Sequence, residues 1–579
     1  MKKELCKTIM SNKVILIVRL LVSVVLAFSG PLSLIAQANF IDVVSRIAQF
    51  PNELNDIFGA SIFLLLSYML PMMRIVLNYW LQKCNHSFEL SWSRHINSLI
   101  KNIPYSQYEY EDTYNRIRQA TDNNLFSSIV GYAFLLLTTG ISIISYIVIL
   151  VRISPLLMVS VVVLAPIVGY LSAKIADKQY KRIVSLNTDR RRGIYKSSIL
   201  HDRAYAKDIR IYNCADYLID DWNKTQKEID TSVLKVKFKY GFFGALVLKT
   251  DYVVAFVNLV IVFFSFINNQ ISLGLFISIS NQILTIKILE NFKNVVTQYV
   301  NIKSYLRSYN EVIDIANKMC KDGTSTNATD ITVEVRNLYF KYPHQDDYVL
   351  KNINLKFELG QSYAIVGENG VGKSTLMKLL IGLYQPSKGD IFINGVNISE
   401  ITLEDRRAIF GVSFQDYSKF SLSLKENVTL NEGVITPQNL EVMRCFEIDK
   451  IAESLHSGYN TVLGKNFGNA VDLSGGQWQN VSVTRALMGE KSIYLFDEPT
   501  ASLDPVKEVD VFTKINDVAK NKTRIFITHR LGITTKVDII IVLKDGGVVE
   551  QGSFKELVEN KGLFKEMFDK QKSLYFKGE

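Results

Sequence analysis

The stretch Ser362-Tyr363-Ala364-Ile365-Val366-Gly367-Glu368-Asn369-Gly370-Val371-Gly372-Lys373-Ser374-Thr375 decides the fold of the second half of the chain. A short strand-like run leads into a glycine-rich loop, and an apolar helical run, Leu376–Leu383, follows. The pattern G-x-x-x-x-G-K-[ST] between a strand and a helix is that of a phosphate-binding loop. Gly367, Gly370 and Gly372 let successive backbone N–H groups, that of Asn369 among them, curl around phosphate oxygens. The helix N-terminus at Ser374–Thr375 adds a partial positive charge. Lys373 is placed to reach the β- and γ-phosphates, and Ser374 to give a hydroxyl to Mg²⁺. ATP and Mg²⁺ are therefore the expected ligands of an α/β P-loop domain.

A second apolar strand, Ser492–Phe496, ends in Asp497-Glu498. A carboxylate at the C-terminal edge of a parallel strand beside the P-loop can hold Mg²⁺, which assigns Asp497 to the metal. Glu498 beside it can polarise the attacking water as a general base.

Upstream the chain changes character. Its 579 residues are 48% hydrophobic and 21% charged with mean hydropathy +0.12, a balance that excludes disorder. The long apolar runs all lie in the first half. Residues 1–320 carry 35 basic and 22 acidic side chains, whereas residues 321–579 carry 31 and 34. A basic excess can mean nucleic acid, but basic residues flanking apolar runs point to membrane topology. About 20 apolar residues cross a bilayer, and six runs qualify: 14–37, 59–80, 125–150, 155–173, 241–267 and 272–294. Two long polar connections lie between them, 81–124 with five Lys and Arg and 174–240 with sixteen. The opposite side holds only Arg46 and Arg152. The N-terminus, both long connections and everything after the sixth run are thus expected in the cytosol, with the spans in the cell membrane. Segments 105–123 and 197–216 mix aromatic residues and charges at helical spacing, as helical extensions of the spans do.

Two rival readings bear on the start of this half. Lys2, Lys3 and Lys7, an apolar stretch and Ala36-Gln37-Ala38 have the order of a secretory signal. Arg19 interrupts the apolar stretch, and the segment is long for a signal, so a retained first span is expected. The five cysteines, Cys6, Cys84, Cys214, Cys320 and Cys445, include no CxxC pair, which excludes a disulfide scaffold.

Leu473-Ser474-Gly475-Gly476-Gln477 narrows the family. With it, the chain resembles an ATP-binding-cassette exporter half-transporter over essentially its whole length, possessing features of the peptide-export type. The resemblance implies an α-helical transmembrane bundle of six spans in 1–320, with cytosolic coupling segments, followed by a nucleotide-binding domain in 321–579. It implies that Ser474, Gly475, Gly476 and Gln477 of one subunit close on the γ-phosphate held by the other, so the chain works as a homodimer. Tyr342 matches the aromatic that stacks on adenine. Gln415 matches the glutamine that contacts Mg²⁺ and the water and reports ATP to the membrane helices. Asp504, in Ala501–Asp504, matches the loop that crosses the dimer interface, and His529 the histidine on the γ-phosphate. Two coupling helices are implied near 105–115 and 204–214.

One departure stands out. Where exporters usually carry an acidic loop before the signature, this chain has Thr461–Gly468 with Lys465. Trp478-Gln479 after the signature resembles the half-transporters for peptides. Arg19, Arg74, Lys249, Asp251 and Lys287 fall within the spans; they either line a basic vestibule for anionic or polar cargo or snorkel to the interface. Met1 lies a dozen residues before the first span, so a leader on a peptide cargo is expected to be removed by another protein. A multidrug or lipid exporter has the same architecture, and an ATP-gated channel or regulator the same motifs. A soluble cassette protein of repair or translation would carry two cassettes and no spans. The expected partners are a second copy, membrane lipid and a transported substrate, not nucleic acid.

Overall fold

A computed structural model describes residues 13–49, 54–121, 124–153, 181–183, 185–285, 311–316, 331–343, 345–430, 435–500 and 505–575, with scattered positions in 155–179 and 295–310. The chain divides into two compact units: Met1–Lys101 with Asn115–Ile313, and Asn102–Tyr114 with Asp314–Glu579.

The first unit is helical. Its principal helices are Lys13–Gln49, Leu54–Ile100, Asn124–Ile153, Ala215–Ile267 and Leu273–Thr285. At 1.5 Å per residue a 53-residue helix such as Ala215–Ile267 is about 80 Å long, more than twice a hydrocarbon core. Its N-terminal half is charged and its C-terminal half apolar, so one rod joins a polar segment to an apolar one. Among the described residues, Leu16–Gln49 and Ser128–Val151 are long and apolar enough to cross a membrane, and Asp56–Met69 and Tyr252–Ile267 are shorter apolar stretches. The expected spans 59–80, 155–173, 241–267 and 272–294 each include positions or side chains outside the described residues.

The first span reaches further than its apolar run. The sequence reading ended it at 37, yet the helix continues to Gln49 and a new one starts at Leu54. The extension is held by contacts that hydropathy does not register. Asp42 accepts hydrogen bonds from the Ser272 hydroxyl (2.6 Å) and the Gly274 amide (2.7 Å), capping the start of helix Leu273–Thr285. Ala36 and Ala38 are buried there. A Cβ at Gly274 would lie 2.1 Å from the Ala38 carbonyl oxygen and 2.7 Å from Asp42 Cγ. Gly274→Ala should therefore destabilise the helical unit by about 1–3 kcal/mol through overpacking. A lower unfolding midpoint in detergent checks this.

The polar connections are built as expected in kind but broken by turns. Helix Asn187–His201 gives way at Asp202, whose carboxylate accepts from the Ala204 amide. The short helix Ala206–Ile211 follows, before the chain re-enters Ala215–Ile267. Lys196 ties the two long helices together through Asp221 (2.6 Å) and Thr225 (2.8 Å). Of the ionisable residues in the spans, Arg19 lies over the Phe134 ring at 4.9 Å, a packing role. The side chains of Arg74, Lys249, Asp251 and Lys287 lie outside the described residues.

The second unit holds two sheets. An antiparallel four-stranded sheet has the order β2-β1-β4-β5, with β1 Val333–Phe340, β2 Leu350–Phe357, β4 Lys388–Ile393 and β5 Val396–Asn397. A six-stranded sheet has the order β10-β9-β3-β8-β7-β6. Its strands are β3 Ser362–Gly367, β6 Phe410–Ser413, β7 Ile493–Asp497, β8 Thr523–Ile527, β9 Ile539–Lys544 and β10 Gly547–Gly552. Strands β9, β3, β8, β7 and β6 run parallel, and β10 closes the edge antiparallel. Every residue of β3, β7 and β8 is buried, Arg524 included, and most of them are apolar. That burial fixes the strand ends, and the strand ends position the site.

Candidate functional site

Four neighbouring parallel strands deliver the site at one edge of the sheet, outside their carboxyl ends, where α/β folds bind ligands. β3 ends in Gly367 and releases the P-loop. β8 is followed by Thr528 and His529. β7 ends in Asp497 with Glu498 next, and β6 is followed after one residue by Gln415.

The P-loop has the conformation its glycines permit. Gly367, Gly370 and Gly372 have φ of 153°, 80° and 104°. A Cβ on Gly372 would lie 2.7 Å from Leu350 Cδ2, so the last of these positions is closed to larger residues on two grounds. Helix Lys373–Leu380 begins at the lysine. Lys373 is buried, and its ammonium donates to the carbonyl oxygens of Gly367 (3.0 Å) and Glu368 (2.8 Å), folding over the loop that would receive phosphates. Burial lowers the Lys373 pKa, and Glu498 and Asp497 oppose that shift. Asn369 and Gly370 are exposed on the loop, while Thr375 is buried.

Asp497 is 5% exposed and bonded to the Ser374 side chain. Burial raises its pKa; the Ser374 bond and Lys373 work against this. The hydroxyl and the carboxylate expected at the metal thus stand together. Mg²⁺ takes one or two protein oxygens together with phosphate oxygens, and this pair fits that donor set.

Glu498 is the hinge of the site. Its backbone sits in the left-handed region, φ 47°, which costs a non-glycine residue on the order of 1 kcal/mol and is held by its amide donating to Ile527 O (3.0 Å). The carboxylate is gripped from both sides. Gln415 Nε2 donates to Oε2 at 2.9 Å, and His529 Nε2 lies 2.9 Å from Oε1. Gln415, Glu498 and His529, brought from three strands, therefore form one hydrogen-bonded row. Burial first, and Lys373 second, hold the His529 imidazole below its ordinary value of 6.5, with Glu498 opposing. At neutral pH His529 is uncharged and its Nε2–H donates to Glu498.

That sign gives a pH prediction. A histidine with a lowered pKa takes its proton only below pH 6.5. Charged His529 then engages Glu498 as an ion pair and withdraws it from the water. ATP turnover should be flat from neutrality to about pH 6.5 and fall below it; a limb centred above 6.5 in the pH–rate profile contradicts this. The unfolded chain binds the proton more readily, so the stability that neutral His529 contributes is present above 6.5 and shrinks on acidification.

The signature lies elsewhere on the unit. Ser474 caps helix Gly475–Leu487 in a capping box, accepting from Gln477 N (3.3 Å) while Gln477 Oε1 accepts from Ser474 N (2.9 Å). Ser474 and Gly475 are exposed, Gly476 is half-buried, and Tyr417 donates to Gly475 O (3.2 Å). Among the described residues, no hydrogen bond joins residues 474–477 to residues 367–375. Asp504 lies outside the described residues. The divergent loop is anchored to the same helix: Lys465 pairs with Asp472 (3.1 Å), and Asp472 accepts from the buried Trp478 indole (2.9 Å). Asp472 has its pKa lowered, by the Trp478 bond first and by Lys465 as well.

Tyr342 is half-buried, with its hydroxyl 2.9 Å from Thr375 Oγ1 and its ring edge-to-face with Phe340 and Tyr384. The sequence reading missed several supports. Arg530 pairs with buried Glu508, which also accepts from Thr500, bracing the segment after β7 against the segment after β8. Gln571 holds the His529 backbone, donating to its carbonyl (3.0 Å) and accepting from Leu531 N (2.6 Å). Arg530 adjoins His529 in sequence and could have been singled out; Gln571 carries no local signal.

The ABC transporter family model matches residues 350–501. The subtilin transport ATP-binding protein SpaT of Bacillus subtilis is 29% identical over 504 residues, 83% of this chain and 80% of SpaT. The nisin transport ATP-binding protein NisT of Lactococcus lactis subsp. lactis is 29% identical over 507 residues, covering 83% and 82%. The ATP-dependent lipid A-core flippase of Escherichia coli (strain K12) is 26% identical over 487 residues, 83% of each chain. A bacterial Atm1-family ABC exporter solved with ATP bound superposes with a TM-score of 0.80 at 20% identity, covering 96% of this chain and 98% of the other.

Proposed function

We propose, for a chain that joins an ABC transporter cassette to a helical membrane domain of exporter fold, that two copies form an ATP-driven peptide exporter of the cell membrane. Residues 1–320 form the membrane domain and 321–579 the cytosolic nucleotide-binding domain. The observation that carries the reading is the Gln415–Glu498–His529 row beside the P-loop, because it is a hydrolytic arrangement and not merely a binding one.

The residues divide the work. Tyr342 stacks on the base, and the amides of Gly367–Gly372 with Lys373 and Thr375 cradle the phosphates. Ser374, Asp497 and Gln415 hold Mg²⁺, which neutralises developing charge on the phosphates. Glu498 takes the proton of the attacking water, with Gln415 and His529 fixing its carboxylate. Ser474, Gly475, Gly476 and Gln477 of the second copy, with its Asp504, complete the clamp. Catalysis is then positioning and electrostatics, and transport is the use of clamp closure to move the membrane helices.

Peptide is preferred as cargo because SpaT and NisT, named for subtilin and nisin transport, align over more than four-fifths of this chain. The flippase alignment keeps lipid as the second reading. The test is ATP turnover of the full chain in lipid nanodiscs with peptides, lipids or drug-like amphiphiles added separately. Stimulation by peptides alone is expected, and stimulation by lipids without any by peptides overturns the assignment.

A further inference from the structure

A residue outside all the motifs sits between the base-stacking tyrosine and the polar segment 102–114. Tyr384 follows helix Lys373–Leu380 and is 3% exposed. Its ring meets Tyr342 edge-to-face at 5.5 Å and 87°, and Phe340 at 5.4 Å. On its other side it meets Tyr105 edge-to-face at 5.7 Å and 89°. Its hydroxyl donates to the Glu109 carboxylate, 275 residues away in sequence. Tyr105 and Glu109 begin and end the 3₁₀ turn Tyr105–Glu109, which belongs to the same compact unit as the cassette.

A phenylalanine would fill the same space, so the phenol is there for its polar tip. A buried hydroxyl needs a partner, and this one finds it on the 3₁₀ turn. Burial first, and the Glu109 bond second, hold the Tyr384 phenol far above its ordinary range, so it remains a donor. The contacts are continuous: Thr375 of the P-loop helix bonds Tyr342, Tyr342 meets Tyr384, and Tyr384 grips Glu109 and Tyr105. Tyr342 is thus braced by Tyr384 and Phe340 at its edges while its hydroxyl answers to the phosphate loop.

We infer that Tyr384 is a positioning residue that links occupancy of the base site at Tyr342 to the conformation of segment 102–114 through its bond to Glu109. A base settling on Tyr342 reorients that ring against Tyr384, and the phenol's grip on Glu109 changes with it. The inference rests on Tyr342 stacking on the base, as proposed above. The bond acts on coupling, not on hydrolysis itself.

The experiment uses the full chain in nanodiscs with ATP, and inorganic tripolyphosphate as a probe without a base. Amide hydrogen exchange is followed in residues 102–114, and nucleotide affinity is measured with a fluorescent ATP analogue. ATP should alter exchange in this segment, and tripolyphosphate should not. Tyr384→Phe and Glu109→Gln should each shrink the ATP-induced change about fivefold, with affinity held within about twofold and the double variant no worse than either single. A merely structural bond would lower the unfolding midpoint without moving this difference. The inference is overturned if both single variants respond like the parent, if their effects add, or if tripolyphosphate reproduces the ATP response. A parent chain that binds ATP without any change in 102–114 overturns it too. A parent that binds no nucleotide at all overturns instead the function proposed above.

Discussion

Glu498→Gln should arrest ATP turnover by about 10²–10⁴-fold while nucleotide binding is retained, so that the proposed dimer accumulates closed on ATP. The expectation follows from how the carboxylate is held. Gln415 Nε2 and His529 Nε2 fix its two oxygens at 2.9 Å each. Glutamine has the same shape: its oxygen accepts from Gln415 Nε2, and its NH2 donates to His529 Nε2 once the imidazole carries its proton on Nδ1. The row therefore survives the substitution, and so does the backbone at φ 47°, for which glutamine is no better or worse suited than glutamate. What is lost is an anionic acceptor for the proton of water. The phosphate contacts of Lys373 and the loop amides are untouched, so affinity should change little. Single-turnover hydrolysis measured beside ATP binding and dimer mass separates the two effects. Hydrolysis near the parent rate would remove the general base from Glu498 and turn attention to His529. A parallel loss of ATP binding would mean instead that the variant had collapsed the site.

How much of this could be read beforehand depends on the range of the signal. Asp497, Glu498, Gln415 and His529 were legible because each lies within two residues of a fully apolar strand end or of a motif, and parallel strands bring such ends together. Their joining into one row was not legible, since the order β3-β8-β7-β6 that makes neighbours of them is a property of the sheet. The first helix runs beyond its apolar stretch for a related reason. The apolar run ends at Gln37, but Asp42 accepts from Ser272 and Gly274, more than 200 residues away, and these bonds offset the cost of a carboxylate there. Tyr384 and Glu109 are invisible to any local pattern. Lys465, singled out as a departure, pairs with Asp472 because its loop folds back there, and that acid in turn holds Trp478, the residue that follows the signature. Two oddities in the sequence are one structural feature.

The second large effect is complementation between two inactive chains. Lys373→Ala removes the buried ammonium that folds over Gly367 and Glu368. Gly475→Asp places an anion at the exposed start of helix Gly475–Leu487, where the γ-phosphate of a partner's ATP would have to dock. A negative group there opposes phosphate directly and forfeits the positive end of the helix dipole. Each homodimer carries two damaged sites, so each should be inactive, with turnover reduced about 10³-fold or more. In a mixed dimer the damage segregates. The P-loop of the Gly475→Asp chain meets the intact signature of the Lys373→Ala chain, and the other site collects both lesions. One competent site per mixed dimer is regenerated. With random pairing about half the dimers are mixed, so ATP turnover should recover to about a quarter of the parent value if the sites fire independently. If the signature served its own chain's P-loop, both sites of every mixed dimer would be broken and no activity would return on mixing. The local hydrogen bonding of Ser474 and Gln477, with none reaching residues 367–375 among the described residues, favours recovery. Mixing after each chain has been purified separately, with parent–parent and single-variant dimers as references, makes the outcome a direct measure of which copy supplies the clamp.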